Sequence, residues 1–284
     1  MKHGLLKISI LLTLLSAGPS WAETETADPT PKTDGTAARL LLPFYLVDTT
    51  NASGTTTLFA VRNEGAATVN LQFSYFEVGT PQIPQDLPAA NTDITLAPRQ
   101  VKTVNIRDVP VAVDNDGFAR GFVVVESTDP GVLLQGDYFQ VTPGDGFATG
   151  DRLLNIDPGS QDNDLCRRVH SRYLNGQIPF DSGTQFFVWI NTDRAPDPSE
   201  TLITYSVYDE AGNTFVEGVD LPVGTVAFLV SASSLITIGP LIGPEFGVIE
   251  FNFGTTEGYV TAVMSASNLY SVGIEAVCLD NAPS

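Results

Sequence analysis

One strand-like run occurs twice in this chain. Thr56-Thr57-Leu58-Phe59-Ala60-Val61-Arg62-Asn63 is an apolar stretch closed by Asn, and Thr184-Gln185-Phe186-Phe187-Val188-Trp189-Ile190-Asn191 repeats its character 128 positions later. Other pairs follow in the same order. Thr201 to Asp209 answers Val69 to Glu77, with Ser206 opposite Ser74 and Tyr205 opposite Phe73, and Gly247 to Phe251 answers Gly121 to Val125. Order, spacing and local character agree, which points to two copies of one unit.

Each copy is built of short strands. Val69 to Tyr75 alternates apolar and polar residues with period two, as a half-buried strand does. Phe122 to Val125 is wholly apolar and fits a buried strand, and turn formers separate the runs. No long segment has a helical period. Short strands at even spacing predict an all-β fold, here two tandem antiparallel β-sandwiches.

The ends and the middle read differently. Residues 1–22 have a basic start at Lys2 and Lys7, an apolar run and a small-x-small ending at Ser20-Trp21-Ala22. That is the pattern of a secretory signal peptide, and the apolar run is shorter than the roughly 20 residues a spanning helix needs. Residues 23–38 are rich in Thr, Asp and Pro and read as a flexible leader. Domain 1 is expected over 39–142, a Gly- and Asp-rich linker over 143–165, domain 2 over 166–280 and a tail over 281–284.

Charge limits the partners. The chain has 33 acidic and 14 basic residues, a net charge of −19, and loss of two lysines with the signal would take it to −21. Such a surface repels phosphate backbones, so nucleic acid is not an expected partner, and anionic membranes are repelled likewise. The expected setting is the periplasm or the extracellular space, without membrane insertion. A protein or glycan partner remains open. The only two cysteines, Cys166 and Cys278, sit at the ends of the second copy, where an exported chain could join them.

Chemistry has few footholds. With His3 in the signal, His170 is the only histidine left, and no Gly-x-Ser-x-Gly elbow accompanies it. His170 lies in the basic island Cys166 to Arg172, where alternation puts Cys166, Arg168, His170 and Arg172 on one side. The turn Asp114-Asn115-Asp116-Gly117 offers oxygen ligands suited to calcium, although Ala112 breaks the EF-hand pattern. Calcium is the one cofactor the sequence suggests. In the second copy Phe186, Val188 and Ile190 make the repeated strand apolar on both faces. Their side is therefore expected to be a covered interface, while Trp189, aligned with Val61, is expected in the core.

Leu41-Leu42-Pro43-Phe44-Tyr45, the run Thr56 to Asn63 and Phe73-Ser74-Tyr75-Phe76 make the chain resemble exported bacterial proteins of tandem immunoglobulin-like sandwiches. Such proteins share no common activity, and the Cys-Trp-Cys arrangement of antibody domains is missing. The expectation is a non-enzymatic exported module, structural or binding. The alternatives are a carbohydrate-binding protein and a metal-dependent or two-carboxylate hydrolase.

Overall fold

A computed structural model of the chain describes residues 37–78, 90–127, 129, 131–157, 164–175, 183–191, 202–222, 227–236, 243–266 and 270–279. The stretches read from the sequence as signal peptide (1–22) and tail (281–284), and most of the one read as leader (23–38), lie outside these residues. Among the described residues, no helix is long and apolar enough to cross a membrane.

The alternating runs of the first half form nine strands. They are β1 (Arg39–Asp48), β2 (Thr56–Asn63), β3 (Val69–Glu77), β4 (Ala90–Leu96), β5 (Val101–Asn105), β6 (Phe118–Glu126), β7 (Leu134–Thr142), β8 (Phe147–Arg152) and β9 (Leu154–Asn155). Strands β8 and β9 arise within the Gly- and Asp-rich stretch that the sequence presents as a linker. The second half gives β10 (Arg168–Leu174), β11 (Gly183–Ile190), β12 (Leu202–Asp209), β13 (Thr214–Pro222) and β14 (Ala227–Ser231). It continues with a single-turn helix, α1 (Ala232–Ile236), then β15 (Phe246–Asn252), β16 (Gly258–Ala266), β17 (Tyr270–Glu275) and β18 (Val277–Cys278).

Among the described residues all strand pairings are antiparallel. Sheet A has the order β5-β2-β7-β8 and sheet B the order β4-β3-β6-β1-β9; sheet C has β14-β11-β16-β17 and sheet D β13-β12-β15-β10-β18. The orders of C and D are those of A and B with every strand advanced by nine. In the constant-type immunoglobulin arrangement the first strand pairs with the second. Here β1 pairs with β6 and lies in the sheet opposite β2.

Among the described residues three apolar cores hold the sheets together. Alternate residues of A and B, among them Leu40, Tyr45, Phe59, Phe73 and Val123, fill the first sandwich. Val169, Phe186, Val188, Ile190, Phe251 and their neighbours fill the second, between C and D. The third core joins the outer face of B to the outer face of C, through Leu41, Phe44, Phe122 and Val124 on one side and Phe187, Trp189 and Tyr259 on the other. The four sheets thus stack A, B, C, D. Burying a large apolar side chain contributes about 1.5–3 kcal/mol, so the third core is a major part of the fold.

Pro43 helps to aim it. Proline has no N–H to give the ladder, and the β1–β6 register slips between Leu42 and Tyr45. The bulge turns Phe44 out of the first sandwich and onto Phe187, ring centroids 5.7 Å apart, while Tyr45 stays inside.

Candidate functional site

The outer face of sheet D carries a group of titratable side chains. Period-two alternation on β10 sends Arg168, His170 and Arg172 outward and Val169, Ser171 and Tyr173 inward. Register places Glu250 beside His170 on one flank and Ser206 on the other. His170 Nε2 lies 2.7 Å from Glu250 Oε2, and Arg168 donates from Nε and Nη2 to Oε1 at 3.0 and 2.7 Å. Burial raises the pKa of Glu250, but the hydrogen bonds and charges of His170 and Arg168 outweigh it and hold the carboxyl below its ordinary range.

A His–carboxylate pair is two-thirds of a hydrolytic triad. Two serines lie nearby. Ser171 faces the core, and Ser206 Oγ accepts the Gly218 N–H at 3.0 Å. Cys166 departs from the face the alternation suggested. It precedes the strand, bridges by backbone to Gly258 and is bonded to Cys278, with Cα atoms 5.7 Å apart. The disulfide ties the entry of β10 to β18, its edge neighbour.

The acidic turn Asp114 to Gly117 folds around an arginine. Gly117 has φ +84°, a conformation that favours glycine, and its N–H donates to the Asp114 carbonyl. Arg120 donates to Asp114 Oδ2 at 2.5 Å and to Asp116 Oδ2 at 2.7 Å, and stacks over Phe118. The Arg120 hydrogen bonds lower the Asp116 pKa despite slight desolvation. Asn115 is exposed and joins no such contact. The two carboxylates offered for calcium therefore already share a cation. Among the described residues no three His, Cys, Asp or Glu side chains gather into a metal-holding group.

Between the sandwiches there is a small cleft of about 60 Å³ lined by Phe44, Tyr138, Gln140, Asp151, Tyr259 and Thr261, among others. It opens where β7 and β8 of sheet A approach β16 of sheet C. The volume suits a few waters or one small polar group. A shallower depression of about 250 Å³ lies over Asn70, Gln72, Asp93 and Thr95 on β3 and β4. Exposed aromatics do not gather at either place. Phe139, half exposed on sheet A, covers Gly150, where a Cβ would come within 2.5 Å of its ring, and Phe246 sits on sheet D at the opposite end of the stack. An aromatic over a strand glycine is a way of stabilising a sheet.

Phe186, Val188 and Ile190 are fully buried, but inside the second sandwich. The residues that meet the first sandwich are Phe187 and Trp189. The cause is register. Thr57 Oγ1 accepts the Leu46 N–H at 3.0 Å and Thr184 Oγ1 accepts the Leu174 N–H at 2.8 Å, so these threonines are equivalent, 127 residues apart rather than 128. A slip of one residue exchanges the faces of a strand. Trp189 is thus the counterpart of Arg62, not of Val61.

A second repeated feature gave no motif in the sequence. Tyr45 and Tyr173 each pair with a glycine, Gly121 and Gly247, beside an acidic residue, Glu77 and Asp209. A Cβ on Gly121 would lie 1.8 Å from the Phe76 carbonyl oxygen, and one on Gly247 1.9 Å from that of Tyr208. Among the described residues both tyrosine hydroxyls are buried without a hydrogen-bond partner. Desolvation first, then the nearby acid, pushes the Tyr173 pKa up to about 12 and that of Tyr45 higher still. The signal available was the glycine pair at the start of two apolar runs.

No protein-family model, curated protein or solved structure matches the chain.

Proposed function

We propose that the protein is an exported, non-enzymatic structural or binding module of the cell envelope or extracellular space, made by duplication of one nine-strand unit. The observation that carries this reading is the third core. It packs two sandwiches together through an apolar B–C junction with a small cleft of about 60 Å³ beside it, and so favours a rigid body that presents surfaces over one that closes on a substrate. Duplication is supported by matching strand orders, by the paired bridges Ala37–Leu134 and Cys166–Gly258, and by the equivalent threonines and tyrosine–glycine pairs. A disulfide and an acidic surface suit an oxidising compartment outside the cytoplasm.

The test has two arms. Expression in an exporting host should yield a chain beginning at Glu23, with both cysteines oxidised. A broad panel of glycosidase, esterase and peptidase substrates should show no turnover; turnover abolished by His170→Ala or Glu250→Gln would replace this reading with a hydrolase.

A second reading is glycan binding, with one hydroxyl of a sugar entering the small junction cleft beside Asp151. Binding on a glycan array that is lost with Asp151→Ala, at unchanged melting temperature, would establish it.

A further inference from the structure

The B–C junction joins unlike faces. Sheet C repeats the strand order of A, and sheet D that of B. The second unit therefore docks its A-type face on the B-type face of the first. A head-to-tail contact of this kind leaves one unmatched face at each end, where a further copy could add. The outer faces of A and D are the two places where it would add.

Register shows what stands there instead. On sheet B the row Leu41–Val124 belongs to the junction; at the equivalent row of sheet D stand His170 and Glu250. Phe44, on the bulge, is replaced by exposed Arg172. On sheet C the junction residues are Phe187, Trp189 and Tyr259; their counterparts on sheet A are Ala60, Arg62 and Gln135. In an A-on-D contact Arg62 would meet a face carrying Arg168, His170 and Arg172, whose carboxylate Glu250 already accepts from Arg168 and lies against His170, so the desolvation of these cations would not be offset.

We infer that the outer faces of sheets A and D are blocked copies of the two sides of the junction, and that the natural occupant of an unblocked face is another copy of this chain. Assembly stops at two units because the end faces carry charged, polar or small side chains at positions where the junction carries large apolar ones, as terminal repeats of stacked proteins do. The inference rests on the two halves being repeats of one unit.

The experiment uses two full-length variants. One carries Ala60→Phe, Arg62→Trp and Gln135→Tyr; the other carries His170→Leu, Arg172→Phe and Glu250→Val. In sedimentation velocity the wild type and each variant alone should run as monomers, and an equimolar mixture should shift to twice the monomer mass. A chain with both sets should form concentration-dependent oligomers. Three results overturn the inference: a mixture of folded variants that stays monomeric, a variant that dimerises equally well alone, or a wild type that stacks end to end. If a triple variant does not fold, Arg62→Trp mixed with His170→Leu is read by the same criterion. Failure of the repeat itself would show separately, as an experimental structure with different strand orders in the two halves.

Discussion

The rings of Phe44 and Phe187 meet 5.7 Å apart and tilted by 41°, one from each sandwich. Phe122 approaches the same Phe187 ring at 6.1 Å and stacks on Phe76 at 4.6 Å. A chain of aromatic contacts therefore runs from the first sandwich into the second, and the junction is packed like an interior.

If so, Trp189→Ala should cost as much as a core truncation, about 3–5 kcal/mol. Its counterpart Arg62 is exposed and salt-bridged to Glu64 at 3.0 Å, so Arg62→Ala should change stability by no more than about 0.5 kcal/mol. Urea unfolding of the two variants compares them directly. Similar losses at both positions would contradict the assigned faces.

Much of this architecture was legible in the sequence. Period-two alternation marks the strands, and Gly121 and Gly247 stand at matching positions of β6 and β15, opposite Tyr45 and Tyr173. Asn63 and Asn191 look alike and suggest an offset of 128, and nothing local distinguishes it from the 127 that the Thr57 and Thr184 contacts give. The faces of an all-apolar strand carry no polar marker, so Phe186 and Phe187 could not be told apart by pattern. Nor could the His170–Glu250 contact be seen across 80 residues of chain, since it depends on strand order.

The buried tyrosines predict an alkaline weakness. Their folded pKa values lie above the unfolded value of about 10, so the stability they confer is complete below pH 10 and is lost as pH rises toward 12. In Tyr45→Phe and Tyr173→Phe the fall of melting temperature above pH 10 should be smaller. At neutral pH each should be at least as stable as wild type, because a buried hydroxyl without a partner is removed.

Gly121→Ala and Gly247→Ala should each destabilise strongly, by about 3 kcal/mol or more, since the added methyl would overlap a backbone carbonyl. Thermal melts decide this. A loss below about 1 kcal/mol would mean that the tyrosine–glycine corner is looser than described.

At low pH the sign reverses. The Glu250 pKa is depressed, so its contribution is present above the ordinary carboxylate value of about 4.3 and is lost as pH falls through the lower folded value. Glu250→Gln should flatten part of the acid limb of the stability curve. Asp48, Asp116 and Asp209, whose pKa values are also lowered, keep the rest.

Removing the disulfide with Cys166→Ala and Cys278→Ala should cost about 2–5 kcal/mol, as it closes a loop of 112 residues. Reduction of the wild type should lower its melting temperature to near that of the variant. An unchanged melting temperature on full reduction would sink the prediction.

The central claim is that sheets B and C form one packed junction, and a double-mutant cycle between Phe44 and Phe187 tests it most directly. Stability is measured for wild type, Phe44→Ala, Phe187→Ala and the double variant. A packed pair predicts a coupling of about 0.5–1.5 kcal/mol, the range for aromatic contacts. Losses that add to within about 0.3 kcal/mol would mean that the two rings do not meet, and would contradict the stacked arrangement.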